Sequence, residues 1–169
     1  MFFKDMKKVF IYFVAGISCL SGSLSAILPE EILPDQDNGR ILPDGQFVRK
    51  GTVAATYANA REYNQLKSRE EELEVREKIE KIIRDLNTLM PSIHSLGLLE
   101  FFSVEEWLLA DHDKEGRLLV AAIYLQVYPQ YANDKCIEKL KTLFEEDSSH
   151  CLKEQILLSF DKIETFKNN

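Results

Sequence analysis

The sequence predicts an all-α protein, a small multi-helix body preceded by a short N-terminal extended segment or β-hairpin. Three observations carry that prediction. Leu118 to Leu125, Leu-Leu-Val-Ala-Ala-Ile-Tyr-Leu, is a run of eight apolar residues. Val75, Ile79, Ile82, Ile83, Leu86 and Leu89 recur at the spacing of one helix face. Between Ile27 and Pro43 the triplet Ile-Leu-Pro occurs three times, and each proline biases the leucine before it to an extended conformation.

The apolar run is read as helix from its neighbours, because a buried strand and a helix buried all round look alike over that length. Ala121 and Ala122 favour helix and disfavour strand, Gly116 precedes the run, and Pro129 follows it where helices stop. The predicted helix runs from Glu115 to Tyr128. Its apolar run is far shorter than the roughly 20 residues of a bilayer span, so it is core. A helix apolar on every side must be wrapped by others.

From the start, Lys4, Lys7 and Lys8 give a positive beginning, Val9 to Leu20 an apolar run, and Ser21 to Ala26 small residues for cleavage. That order is the order of a secretory signal segment, assigned to residues 1–26. Ala15-Gly16-Ile17-Ser18-Cys19 resembles the lipobox of bacterial lipoproteins, which implies acylation at Cys19 and a lipid-anchored chain. On the other reading Cys19 belongs to the apolar run and is discarded with it.

Residues 27–50 form a proline-containing tether. Leu42-Pro43-Asp44-Gly45 fits a type I turn between short extended segments, Arg40 to Leu42 and Gln46 to Arg49. A lone hairpin is marginal in water, so it is expected to lie on the helical body. The Ile-Leu pairs either dock on a partner's groove or tack down on the chain's own helices.

Residues 51–169 form the helical domain. Thr52 is placed to cap a helix to Leu66, with Val53, Tyr57 and Ala60 on one face. Ser68 and Glu71 read as a capping box opening a helix to Met90, with Glu70, Glu71 and Glu72 as its solvated acidic start and Pro91 as its end. Ser92 to Phe102 is a short apolar segment. Ser103 and Glu106 read as a second capping box for a helix through Trp107 to Ala110. Asp134 and Ser148 or Ser149 are expected to cap helices to Glu145 and Phe166.

The pattern Asp-x-Asp-x-x-x-Arg-x-x-x-Ala-Ala, from Asp111 to Ala122, is similar to HEAT-type repeats, a family of stacked helix pairs that serve as binding scaffolds. A loose repeat accompanies it: Val75-Arg76, Gly116-Arg117 and Leu152-Lys153 each open an apolar helix. The same stretch resembles the opening of an EF-hand calcium loop. Asp111, Asp113 and Glu115 would be metal ligands at positions one, three and five, with Gly116 at the turn. Ala122 stands at position twelve, where that family has a bidentate Glu, so the implied Ca²⁺ affinity is weak. The other reading makes this an exposed turn with Asp113 as a helix cap.

Other chemistry is sparse. His94, His112 and His150 are the histidines, none at a helical metal spacing. Cys151 beside His150 points a different way from it on a helix. Cys136 and Cys151 start different helices of an antiparallel pair, which separates them by roughly 15–20 Å at 1.5 Å per residue, and a disulfide needs Cα atoms within about 7 Å. Two separate thiols are expected.

The formal charge is −7; the first 26 residues carry three lysines against Asp5, which leaves −9 on the remainder. A body that acidic disfavours nucleic acid as a partner. No catalytic set and no cofactor motif is legible. The functional expectation is therefore an exported, non-enzymatic binding or scaffold module of the cell envelope, with an envelope or secreted protein as partner and no transmembrane helix in the mature chain. The alternatives are a lipoprotein anchored through Cys19, and a weak calcium-binding or metal-assisted domain built on Asp111, Asp113 and Glu115.

Overall fold

A computed structural model describes residues 39–49, 51–101, 103–110, 115–146 and 148–168. The signal segment, Cys19, residues 27–38, Phe102 and Asp111 to Lys114 lie outside the described residues. The body is all-α, with one two-stranded antiparallel hairpin among the described residues, β1 (Gly39–Ile41) and β2 (Phe47–Arg49). The helices are α1 (Thr52–Leu66), α2 (Leu73–Ser95), the single turn α3 (Leu98–Phe101), α4 (Val104–Leu109), α5 (Glu115–Val127), α6 (Asp134–Glu145) and α7 (His150–Lys167). Short 3₁₀ turns, Lys67–Arg69 and Pro129–Tyr131, follow α1 and α5.

The helix α5 is the axis. All eight residues of Leu118 to Leu125 are buried, the most accessible at 6%. Burial on every side follows from the wrapping: α7, α1, α2 and α4 all pack on α5, with α7 making the largest single contact. In a helical-repeat solenoid each pair touches only its neighbours; here one helix meets partners from both ends of the chain.

The partners present their faces at helical spacing. The helix α2 buries Val75, Ile79, Ile82, Leu86, Leu89, Met90 and Ile93; α6 buries Cys136, Leu140 and Leu143. On α7, Ser159 lies against the small Ala122, its hydroxyl within 2.9 Å of the Ala122 carbonyl and 2.8 Å of the Gln155 carbonyl.

Two helix starts match the residues expected to cap them. Ser103 Oγ accepts the Glu106 N–H while a Glu106 carboxylate oxygen accepts the Ser103 N–H at 2.7 Å, the full capping box. Ser149 caps α7. Three others differ. Asn133, one residue before Asp134, caps α6 through the Cys136 N–H. Gly51, at φ 89°, occupies the N-cap of α1 in the left-handed region open to glycine, and Thr52 instead donates to the Arg49 carbonyl at 2.9 Å. Ser68 lies in a 3₁₀ turn, and α2 begins only at Leu73.

Pro91 does not end α2. The helix continues to Ser95, although an interior proline costs ~3 kcal/mol through its missing N–H and its clash. Met90 and Ile93 flank it and are both fully buried, and burial of each contributes about 1.5–3 kcal/mol. Burial therefore outweighs the proline, and the helix ends at Ser95, with Leu96 as its C-cap and the Gly97 N–H turning back to the His94 carbonyl.

The hairpin forms around Leu42 to Gly45 as expected, the Gly45 N–H donating to the Leu42 carbonyl at 2.9 Å. It lies on the end of α2: Ser95 Oγ donates to Asp44 Oδ2, and Val48 is buried.

One contact sets the approach of α1 to α5. A Cβ on Gly116 would lie 1.9 Å from the Ala60 carbonyl oxygen, so the two backbones touch where only glycine fits. The Gly116 N–H, near the start of α5, donates to Asn64 Oδ1 at 2.9 Å. Gly116→Ala would gain about 1 kcal/mol of helix propensity, yet the clash is with backbone and overpacking of this kind costs typically 1–3 kcal/mol or more. The expected outcome is a net loss of roughly 2 kcal/mol in a denaturant titration. An equal or higher midpoint would contradict the close approach.

Candidate functional site

The helix α1 turns a largely polar stripe toward the core. Its buried face carries Thr52, Ala55, Thr56, Asn59, Glu62, Tyr63 and Leu66, largely polar, while Val53 is 45% and Tyr57 68% exposed. Two periodic stripes compete on this helix. The one containing Thr56, Asn59 and Tyr63 won the interior, since Tyr63 fills the core completely and reaches Ser149 at the start of α7.

The outward stripe, Val53, Tyr57, Ala60, Arg61 and Asn64, forms one wall of a groove of about 890 Å³. Leu98 and the half-buried Trp107 supply apolar surface opposite it, and Arg117 the cationic side. Lys67 and Asn64 close one end: Lys67 Nζ pairs with Glu115, and Asn64 holds the Gly116 N–H. Arg117 Nη2 donates to the Ala110 carbonyl at 2.9 Å. Among the described residues, the lining side chains are aliphatic, aromatic, amide, hydroxyl or cationic, with no carboxylate. That set recognises a ligand by apolar contact and positive charge.

A second, smaller hollow of about 180 Å³ lies by the end of α2. His94 stacks on Tyr128 with ring centroids 4.1 Å apart, and its Nδ1 is 3.0 Å from the Tyr124 hydroxyl. Glu105 borders the hollow but is held by Asn133 at 2.6 Å and Lys135 at 2.8 Å. Those hydrogen bonds, Lys135 first, hold its carboxyl below the usual carboxylate range.

Of the sequence-predicted metal ligands, Asp111 and Asp113 lie outside the described residues. Glu115 is buried in the start of α5, where one carboxylate oxygen pairs with Lys67 and the other accepts the Ser149 N–H at 3.3 Å. Cys19 is also outside. Cys136 and Cys151 are separate, buried thiols. Burial, with the Glu70 carboxylate behind it, pushes Cys151 up to about 12, and burial raises Cys136 as well. Neither supplies thiolate at neutral pH.

Glu70, expected in a solvated acidic run, caps α7 from across the fold. Its two oxygens accept the His150 N–H at 2.6 Å and the Cys151 N–H at 3.2 Å. Together with Glu115 it places two carboxylates at the positive end of that helix. The sequence carries no local sign of this, because the partners are 80 residues apart.

With the geometry in view, the class is a small all-α protein wrapped on one apolar helix, bearing an aromatic, cation-lined groove. Residues 25–128 match the family described as a domain of unknown function, DUF7709, and the chain belongs to that family. No curated protein and no solved structure matches it. The family segment takes in the hairpin and α1 to α5, and with them every described residue of the groove lining; α6 and α7 lie beyond it.

Glu62, on the polar inner face of α1, offers a pH test. It is 7% exposed and its Oε2 has no hydrogen-bond partner among the described residues. Burial raises its pKa above the ordinary 4.5, against the pull of Lys78 and Lys81. A carboxyl raised on folding contributes stability that is present below the unfolded value and is lost as pH rises through the folded one. Glu62→Gln removes the neutral-pH cost, so its Tm at pH 7 is expected to exceed that of the parent by roughly 3 °C, about 1 kcal/mol in a domain of this size. The gain should shrink to nothing well below pH 4.5, the ordinary value, once both states of the parent are protonated. A gain independent of pH would rule out ionisation as its cause.

Proposed function

We propose that this protein is an exported, non-enzymatic binding module of the cell envelope that holds a partner segment in the groove along α1. The observation that carries the binding reading is the orientation of α1, which buries Thr56, Asn59 and Glu62 and leaves Val53 and Tyr57 outside beside Trp107. Aromatic side chains with one exposed face, next to arginine, are the residues that dominate binding energy at interfaces. Apolar surface shown at the rim of a groove is a sign of an interaction site.

Export is supported by the order of positive charge, apolar run and small residues within the first 26 residues. The family match begins at residue 25, where that segment ends. No described helix is long and apolar enough to cross a membrane.

Two measurements test the two halves. The intact mass of the chain recovered from cell fractions is expected to start near Ile27. A start at Cys19 with acyl chains would replace a free module with a lipid-anchored one, and an uncut chain in the cytosol would end the export reading. For the groove, Tyr57→Asp is made at a position 68% exposed, where stability should change by no more than about 0.5 kcal/mol. In affinity capture from envelope extract, a partner held by the parent chain is expected to fall at least tenfold with the variant. Equal capture by both would remove the groove from the function.

A further inference from the structure

We propose that the groove along α1 is occupied by the chain's own segment Ile27–Asp37, an internal ligand that an outside partner must displace. This rests on the groove being the binding surface. The segment lies outside the described residues, but the point where it joins them is fixed. β1 starts at Gly39, which pairs with Arg49, three residues before Thr52 opens α1. The chain is thus delivered toward the start of α1, the end of the helix that carries the groove residue Val53.

Length permits the contact. From Val53 to Asn64 the helix rises about 16 Å at 1.5 Å per residue. Residues 27–38, extended, reach about 40 Å. Half of the segment is enough to run the length of the wall.

Chemistry favours it. Ile27-Leu28 and Ile32-Leu33 are the apolar pairs of this segment, and Pro29 and Pro34 bias both leucines to extended backbone before any contact is made. That bias lowers the ordering cost of binding, and aromatic-lined grooves such as that of Tyr57 and Trp107 are the usual receivers of proline-containing extended segments. Glu30, Glu31, Asp35 and Asp37 give the segment four acidic side chains and no basic one, so it stays strongly negative even with the positive amino terminus that cleavage near Ile27 would create. Among the described residues, the groove lining carries Arg61, Lys67 and Arg117 and no carboxylate, in a chain whose net charge is −7. Lys67 already serves Glu115, so the exposed Arg61 is the cation best placed to meet the acidic residues.

The family match holds the segment and the groove together, since both fall within residues 25–128. The short hairpin between them makes the binding intramolecular, with an effective concentration in the millimolar range. An intrinsic affinity of only about 100 μM would then keep the groove filled roughly ten to one and weaken an outside partner about tenfold.

The test uses the full chain as recovered from cells, with Tyr57 replaced by a photo-reactive phenylalanine analogue. After irradiation, peptide mapping of the monomer is expected to find the adduct within residues 27–38. Adducts elsewhere with none in that segment would overturn the proposal. Adducts to it only in covalent dimers would overturn it in favour of a second copy. A second variant, Ile32→Asp with Leu33→Asp, leaves the helical body untouched. Trp107 is the chain's only tryptophan, and its acrylamide quenching constant is expected to rise about twofold in that variant; an unchanged constant contradicts occupancy. If quenching is unchanged while Tyr57→Asp still loses the captured partner, the occupant is wrong and the groove stands. If Tyr57→Asp also changes nothing, the groove reading itself has failed.

Discussion

The constraint on which the structure depends is the need to bury α5 on every side. Eight consecutive apolar residues cannot be satisfied by one packing partner, so helices from before and after them in sequence must all reach the same axis. Gly116 sets how closely one of them comes. With the Ala60 carbonyl where a Cβ would be, α1 rests directly on the backbone of α5. That contact fixes the rotation of α1 as well as its distance. Once Tyr63 and Ala55 face inward, Val53 and Tyr57 must face out. The groove is therefore a by-product of how the core closes, and its chemistry follows from which of two competing stripes on α1 the core accepted.

Electrostatics completes what burial begins. The first turn of α7 exposes backbone N–H groups beside the core, and these find Ser149, Glu70 and Glu115. Glu115 also holds Lys67, and Tyr63 meets Ser149. One compact set of hydrogen bonds ties the C-terminal end of α1, the start of α5 and the start of α7 to each other. Three charged residues of unremarkable local sequence, Glu70, Glu115 and Lys67, are thereby spent on architecture, while Arg61 and Arg117 add further positive charge to the groove lining.

The sequence made α5, the start of α4 and the turn at Leu42 to Gly45 legible because each is decided locally: by an apolar run, a reciprocal cap, and a proline and glycine at fixed turn positions. It misled where tertiary contacts outweigh local signals. Pro91 reads as a stop, yet buried Met90 and Ile93 carry the helix past it. Ser68 and Glu71 have the spacing of a cap, but the neighbouring Glu70 is drawn to α7 and the chain makes a 3₁₀ turn instead. The groove was half visible, in the spacing of Val53, Tyr57 and Ala60. Leu98, Trp107 and Arg117 could not be joined to them, because they come from three separate elements. A signal did exist in the second stripe of α1, where Thr56, Asn59 and Tyr63 match helical spacing equally well.

The measurement that bears most directly on this account is native-state amide hydrogen exchange of the whole chain, read peptide by peptide. A helix wrapped on all sides opens only with the body, so amides from Leu118 to Leu125 should exchange slowest and at the free energy of global unfolding, ahead of α6 and the hairpin. If that stretch exchanges through local opening while α2 or α7 stays protected, then α5 is not the axis of the fold, and the orientation of α1 that creates the groove loses its cause.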